Sequence, residues 1–366
     1  MKATDTGRTG WKRRTKRVIA SLGACIVAAS VVAACGSSNS SGGNANGNNG
    51  GKQLSWTHGI LTPKADSGYQ LMAEDKGYYK QEGVNVDLKH FTGNLQVSQA
   101  VISGAIDSAD TAPAPAFKAV LKGANLKIIG STLPKNTYAV LAQKSIKNWS
   151  DLKGKAIAVS APGSFPDSVV KAILAKEGVD PNSITTVTTG SDSGRFKALT
   201  AGRVAAAAVS EQYVPKAKNN PKIHVLGEAQ NIIPEYPRFY IVANGDALKK
   251  HPEAAVRFLA GEMRGVCYAV MHPKAEQKVA AKYTKISPTD PGVIYDQQAI
   301  AKAHAASPTS AITMSRLEFA NNFLVKEGLQ QKKVDLNKIV DNSYRQKALK
   351  LANLPKQCLN DPNANP

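Results

Sequence analysis

The chain has 366 residues and a formal net charge of +20, from 47 Lys and Arg against 27 Asp and Glu. That length exceeds one typical domain and is enough to build two lobes with proper cores. The lysines are scattered singly, as at Lys274, Lys278, Lys282 and Lys285. No basic run is interleaved with aromatics, which argues against a nucleic-acid surface.

The first segment reads as an address. Lys2, Arg8, Lys12, Arg13, Arg14, Lys16 and Arg17 form a basic stretch, and Val18 to Ala34 carries no charge. It closes on Val32, Ala33, Ala34 and Cys35, followed by Gly36 and Ser37. This is the layout of a secretory signal ending in a lipobox, and it resembles bacterial lipoprotein signal peptides. That resemblance implies lipidation of Cys35, cleavage just before it, and a body held on the extracytoplasmic face of the cell membrane. A membrane-spanning helix usually needs about 20 apolar residues, and this stretch is short and rich in alanine. Cleavage before Cys25 would leave an apolar tail on the product. Arg13 and Arg14 hint at twin-arginine export, but Lys16 stands where an apolar residue is expected, so general secretion is the default. The segment 1–34 supplies seven of the basic residues and Asp5, so part of the net charge leaves with it.

Residues 36–51 are Gly, Ser, Asn and one Ala. Such a stretch builds no core and reads as a flexible tether, with an r.m.s. reach of roughly 20–24 Å for about 16 residues. The expected divisions at this end are 1–34 signal and 35–52 lipidated Cys and tether.

From Leu54 the pattern alternates. Leu54, Trp56, His58 and Ile60 share one face of a period-2 strand, which makes His58 a core residue. The pattern predicts helix over 69–80, strand 84–88, helix 96–103, strand 105–109, helix 114–121, and strands 126–129 and 138–141. A second series follows: strand 156–159, helix 168–177, strand 184–188, helix 195–201, strand 204–209, helix 213–218, strand 223–226 and strand 239–243. Strands alternating with helices imply α/β sheets, mostly parallel and covered on both faces. From about residue 246 the chain is nearly all helical.

Beyond Cys35 the exported part carries Cys267 and Cys358. Two spaced cysteines without a Cys/His cluster give no zinc signature, and no cofactor is expected. Cys267 lies on the apolar stripe Val256, Leu259, Met263, Val266 and Val270, where a buried thiol would also sit. Cys358 falls in a polar tail. A Cys267–Cys358 disulfide is permitted outside the cytoplasm and would staple that tail to a helix.

Six segments stand in order along the chain: KGYYKQEGVNVDL at 76–88, QAVISGAIDSADTAPAP at 99–115, GANLKIIGS at 123–131, DLKGKAIAVSAPGSFPDSVVKAILAKEGVDP at 151–181, KALTAGRVAAAAVSEQY at 197–213 and VDNSYRQKAL at 340–349. Together they resemble the solute-binding proteins of ABC importers, nearest to the nitrate/sulfonate/taurine group that includes the thiamine-pyrimidine binders. One departure is Ala205, where the family often carries Asp. The resemblance implies a type II periplasmic-binding-protein-like fold with two lobes, 53–140 with 244–350 as one and 141–243 as the other, two crossover strands, C-terminal helices packed mainly on the first lobe, and a tail over 351–366. It also implies a monomer that takes a small polar solute between the lobes and delivers it to membrane permease subunits.

Ligands of α/β sheets bind at loops after strand C-terminal ends. Those loops offer Asp66, Ser67, Thr92, Gly93, Thr111, Gly163, Ser164, Ser191, Glu211, Tyr213 and Arg238 as contacts. Small residues ahead of helices leave free N–H groups that suit an anionic head group, although Ser67, Asp167 and Asp192 also fit ordinary N-caps. Asp66 and Glu211 would instead favour an amine or a protonated heterocycle. Tyr213 offers a ring to stack on or packs within its lobe. Arg238 offers a partner for an acid group or forms a surface ion pair. Two other classes stand beside the receptor: a lipoprotein sensor or adhesin on the same body, and an enzyme like the fungal pyrimidine synthases. The second is disfavoured, because the Cys-rich iron motif of those synthases is missing and no catalytic constellation appears.

Overall fold

The computed structural model describes residues 53–364. Cys35, the signal segment and the tether lie outside the described residues.

The first α/β series builds one sheet. It runs β1 (Leu54–Leu61), α1 (Ser67–Asp75), α2 (Tyr78–Gln81), β2 (Val84–Phe91), α3 (Asn94–Ile102), β3 (Ser108–Thr111), α4 (Pro113–Leu121) and β4 (Leu126–Gly130). The helix expected over 69–80 is two helices, because Gly77 sits at φ +69° and turns the chain between them. Trp56, His58 and Ile60 are all buried. His58 Nδ1 lies 2.8 Å from Ser108 Oγ, and its ring packs on Phe258 at 4.7 Å between centroids.

The second series runs β5 (Tyr138–Gln143), β6 (Ala156–Val159), α5 (Phe165–Lys176), β7 (Thr185–Thr188), α6 (Asp192–Thr200), β8 (Ala206–Ser210), a 3-10 turn at Glu211–Tyr213, α7 (Val214–Lys218), β9 (Ile223–Glu228), α8 (Ala229–Ile232) and β10 (Tyr240–Asn244).

The sheet orders are β2-β1-β3-β10-β4 and β7-β6-β8-β5-β9. β10, the last strand of the second series, therefore joins the first sheet, while β5 lies inside the second. β10 enters the first sheet antiparallel to β3 and β4, and β5 enters the second antiparallel to β8 and β9. The other four strands of each sheet run one way. The lobes are thus mixed sheets, with residues 138–140 in the second sheet and 240–243 in the first. The two connecting segments run side by side: Arg238 N donates to Pro134 O at 3.0 Å, and Lys135 bridges Pro237 antiparallel. This two-lobed topology is that of a type II periplasmic-binding-protein-like fold.

The C-terminal part comprises α9 (Gly245–Lys250), α10 (Pro252–Met271), α11 (Pro273–Thr284), α12 (Pro291–Ala303), α13 (Met314–Lys326), α14 (Leu336–Ile339), α15 (Asn342–Ala352) and α16 (Lys356–Leu359). α10 buries Phe258, Leu259, Met263 and Val266. Gly265 lets α10 close on α1, since a Cβ there would lie 2.6 Å from Ala73 N. α12 and α13 depart from first-lobe packing, α13 by setting Phe323 against Tyr236 at 5.7 Å between ring centroids. A Cβ on Gly292 would lie 2.3 Å from Gln212 O, and Tyr295 Oη donates to Glu228 Oε1 at 2.6 Å. α12 therefore reaches across to the second lobe.

Cys267 and Cys358 are disulfide-bonded, with Cα atoms 5.7 Å apart. The residues beyond α16 are also docked: Asp361 Oδ2 accepts from Ser307 Oγ at 2.5 Å and Thr309 Oγ1 at 2.7 Å. Among the described residues no helix is long and apolar enough to cross a membrane.

Candidate functional site

Between the sheets lies a cavity of about 50 Å³. Lys64 and Thr92 from the first lobe, Tyr138 from the crossing, and Ser160, Ser191 and Arg195 from the second lobe are among its walls. All but Arg195, which lies inside α6, come from segments at or just beyond strand or crossover ends. A wider groove of about 600 Å³ is lined by Leu95, Ser98, Lys118 and the Pro162–Ser164 loop.

Lys64 is the central cation. Its Nζ is buried without a hydrogen-bond partner, 3.8 Å from Asp66 Oδ2 and 3.8 Å from Asp192 Oδ2, and 5.1 Å from the Tyr138 ring centroid. Burial alone would lower its pKa, but the Asp66 carboxylate, with smaller help from Tyr138 and Asp192, holds it above the ordinary lysine value. It stays charged.

Both neighbouring carboxylates have partners of their own. Arg238 Nη2 donates to Asp66 Oδ2 at 2.5 Å, and its Nη1 donates to Thr137 Oγ1 at 3.0 Å. Burial opposes ionisation of Asp66, yet Arg238 and Lys64 hold its pKa below the usual range. Arg195 pairs with Asp192, and also donates to Ala208 O at 2.6 Å, Ser160 Oγ at 2.8 Å and Gly190 O at 2.5 Å. Asp192 is also depressed against its burial, mainly by Arg195. With Asp66 matched by Arg238 and Asp192 by Arg195, Lys64 is the surplus charge at the cavity.

The residues singled out from sequence divide in two. Thr92 and Ser191 line the cavity. Ser191 caps α6 by accepting from Gly194 N at 3.2 Å. Gly93 precedes α3, and Gly163, at φ +74°, donates its N–H to Asp167 Oδ2 at 2.7 Å. Gly163 and Ser164 line the wider groove. Ser164 is the buried residue ahead of α5, its Oγ accepting from Ala161 N at 3.2 Å.

The others face inward. Ser67 Oγ accepts from Lys64 N at 2.8 Å and shapes the loop that carries Lys64. Thr111 is buried, its Oγ1 2.5 Å from Ser98 Oγ. Tyr213 packs within its lobe on Phe196, centroids 4.9 Å apart. Glu211 accepts from Gln230 Nε2 at 3.1 and 3.0 Å, and burial pushes its pKa up to about 9. Arg238 is fully buried rather than a surface pair.

Lys64, Ser160, Tyr138 and Arg195 were not among the sequence candidates. Ser160 directly follows β6, a position the strand-end rule could have flagged. Arg195 lies one turn inside α6, and nothing in the local pattern turns it back toward the loop. Among the described residues no group of three or more His, Cys, Asp or Glu is arranged to hold a metal ion.

The family model described as NMT1/THI5 like matches residues 65–276, which span both sheets. Among curated proteins, the putative binding protein YtlA of Bacillus subtilis is 23% identical over 283 residues, covering 75% of this chain and 84% of the relative. The putative aliphatic sulfonates-binding protein of Bacillus subtilis is 26% identical over 288 residues, 76% of this chain and 84% of the relative. Among solved structures, the alkanesulfonate-binding protein SsuA from Xanthomonas axonopodis pv. citri bound to MOPS superposes with a TM-score of 0.67 at 17% identity, covering 80% of this chain and 99% of that one. With the matched region running through both lobes, the crossings and the cleft loops, the chain belongs to the NMT1/THI5-like family.

Proposed function

We propose that the protein is the extracytoplasmic solute receptor of an ABC importer, closing its two lobes on a small polar solute of the nitrate, sulfonate, taurine or pyrimidine type and handing it to a membrane permease. The observation that carries this reading is Lys64: a buried ammonium on the wall of an interlobe cavity with no hydrogen-bond acceptor. A buried donor left unsatisfied is costly, so an acceptor-bearing solute fits there. The surplus positive charge favours an anionic head group. The free N–H groups at the start of α6 add to it, by about 0.3–1 kcal/mol at an exposed helix end and more when desolvated.

Size narrows the fit. One water takes about 30 Å³ of liquid volume, so a cavity of about 50 Å³ holds a head group of a few atoms. A longer body extends into the groove between α3, α4 and the Gly163 loop. The relative named for aliphatic sulfonates and the structure bound to MOPS support a sulfonate or another small oxyanion. Thr92, Gly93, Gly163, Ser164 and Ser191 are the candidate contacts from the loops. Asp66, Ser67, Thr111, Glu211, Tyr213 and Arg238 act behind them, holding loops and lobes in place.

Closure is a population shift toward the state that binds the solute more tightly, turning on the paired segments near Pro134 and Arg238. The receptor works as a monomer and is held to the membrane by lipid on Cys35, since two or more acyl chains give stable attachment. The test is a thermal-shift screen of the solute-stripped protein against nitrate, alkanesulfonates, taurine, amines and pyrimidines. One class is expected to raise the melting temperature, and no shift with any of them overturns this reading. Separately, Cys35→Ala is expected to release the protein from membranes and to abolish fatty-acid labelling.

A further inference from the structure

The seam between the lobes is unusually rich in acids that have no cation. From the second lobe come Asp192, Glu211 and Glu228; from the first come Asp66 on its loop and Glu276 on α11. Asp296 comes from α12, which joins the two. The cations facing them are Lys64, Arg195 and Arg238. Arg238 is matched to Asp66, Arg195 to Asp192, and Lys64 lies between those same two carboxylates. Glu228 is met by Tyr295 Oη, and Lys218 Nζ lies over the Tyr295 ring at 5.1 Å. Among the described residues, Glu211, Glu276 and Asp296 form no ion pair.

All three are buried, at 0%, 0% and 1% exposure, and this decides their state. Neither carboxylate oxygen of Asp296 has a hydrogen-bond partner, and neither does Glu276 Oε1. Glu211 has only the amide of Gln230. An ionised carboxylate in such a place is far more costly than a neutral acid. Burial first, and then Asp66, raise the pKa of Asp296 against the opposing charges of Lys64 and Arg238; burial, Asp66 and Asp296 raise that of Glu276; for Glu211, burial is followed by Asp296 and Glu228, with Arg238 opposing. Tyr69, beside Glu276, Asp296 and Asp66, is pushed upward for the same reasons and stays a neutral phenol. Parting the lobes would hydrate these acids and return them toward ordinary carboxylate values.

We propose that closing the interlobe seam takes up protons at Glu211 and Asp296, so that mild acid favours the closed receptor and alkali eases it open. The coupling rests on the hinged-receptor reading and adds to it a control of solute release by the pH outside the membrane. Where the surroundings are acidic, the solute is held more tightly. Each proton released on opening makes the open-to-closed ratio rise about tenfold per pH unit, between the pKa values of the two states.

One amide reports the seam directly. Ala65 N, on the first lobe, donates to Gln212 Oε1 of the second at 2.9 Å, so its hydrogen exchange follows opening. The experiment is hydrogen–deuterium exchange of the full chain in detergent, read by mass spectrometry on peptides containing Ala65. It is done from about pH 6 to about pH 8.5 and corrected for the intrinsic pH dependence of exchange. Protection is expected to fall at least about tenfold per pH unit in the wild type, and to fall less steeply in Glu211→Gln/Asp296→Asn, whose amides imitate the neutral acids and which leaves only Glu276 to release a proton. A pH-independent wild type, or the same slope in the double variant, overturns the coupling. If the double variant fails to fold, Glu211→Gln alone carries the test: its slope is expected to drop by one proton, about tenfold per pH unit, and an unchanged slope overturns the proposal. The receptor reading has its own test in the solute screen, so a solute that binds with no pH effect at Ala65 removes the coupling and leaves the receptor standing.

Discussion

Arg238 and Asp66 lie far apart in sequence, yet they form an ion pair at 2.5 Å with neither side chain exposed. One residue sits on the return crossing and the other opens the first helix, so the pair ties the hinge to the floor of the cleft. A buried pair returns little over an apolar pair of similar shape, but losing one partner strands the other. Arg238→Met is therefore expected to cost about 3–5 kcal/mol in urea unfolding. Arg238→Lys, which keeps a cation beside Asp66, is expected to cost less than Arg238→Met.

A second buried acid lies inside the first lobe, away from the seam. Glu262 accepts from Tyr79 Oη, and burial, with Asp110 adding to it, pushes its pKa up to about 8. The folded state thus binds this proton more tightly than the unfolded chain, where glutamate titrates near 4.3. Its contribution to stability is fully present below that lower value and is lost as pH rises through about 8. The urea midpoint is expected to fall between about pH 5 and about pH 9, and Glu262→Gln is expected to flatten part of that fall.

The disulfide closes a separation of 91 residues. Removing such a link by Cys358→Ser, or by reduction, is expected to cost about 2–4 kcal/mol. Far-ultraviolet circular dichroism should stay native while the unfolding midpoint drops, since Asp361 still docks on Ser307 and Thr309.

At the contact of α10 with α1 there is no room for a side chain. A Cβ on Gly265 would meet Ala73 N at 2.6 Å and Ala73 Cβ at 2.8 Å. Both are fixed parts of a helix, so they cannot swing aside. Gly265→Ala is expected to destabilise by about 1–3 kcal/mol in the same unfolding assay, despite the better helix propensity of alanine.

Periodicity located the elements well where side chains alone decide them. β6 spans the four residues Ala156–Val159 that the apolar run marks. Helix starts were less visible. α3, α5 and α6 begin at Asn94, Phe165 and Asp192, in polar or proline-bearing stretches that precede the apolar stripe. The antiparallel direction of β5 and β10 was not readable, because strand spacing does not distinguish parallel from antiparallel entry. The loops around the cleft could be named from strand ends, and Thr92 and Ser191 came with them. Lys64 and Arg195 could not be singled out, because their roles depend on which carboxylate each one meets across the fold. The strand ends offer Glu211 and Arg238 as cleft contacts, Arg238 also as a surface ion pair; packing of α12 and of the crossing segments buries both.

The central claim is that the solute sits between the lobes against Lys64. A larger groove of about 400 Å³ lies elsewhere, between α11, α12 and the docked tail, with Gln298 on its wall. Calorimetric titration of the solute found by the screen separates the two sites. Lys64→Met is expected to weaken binding at least about tenfold, as loss of a charged hydrogen bond implies, while Gln298→Ala binds as the wild type does. Wild-type affinity in Lys64→Met, or loss of binding in Gln298→Ala, would contradict the account.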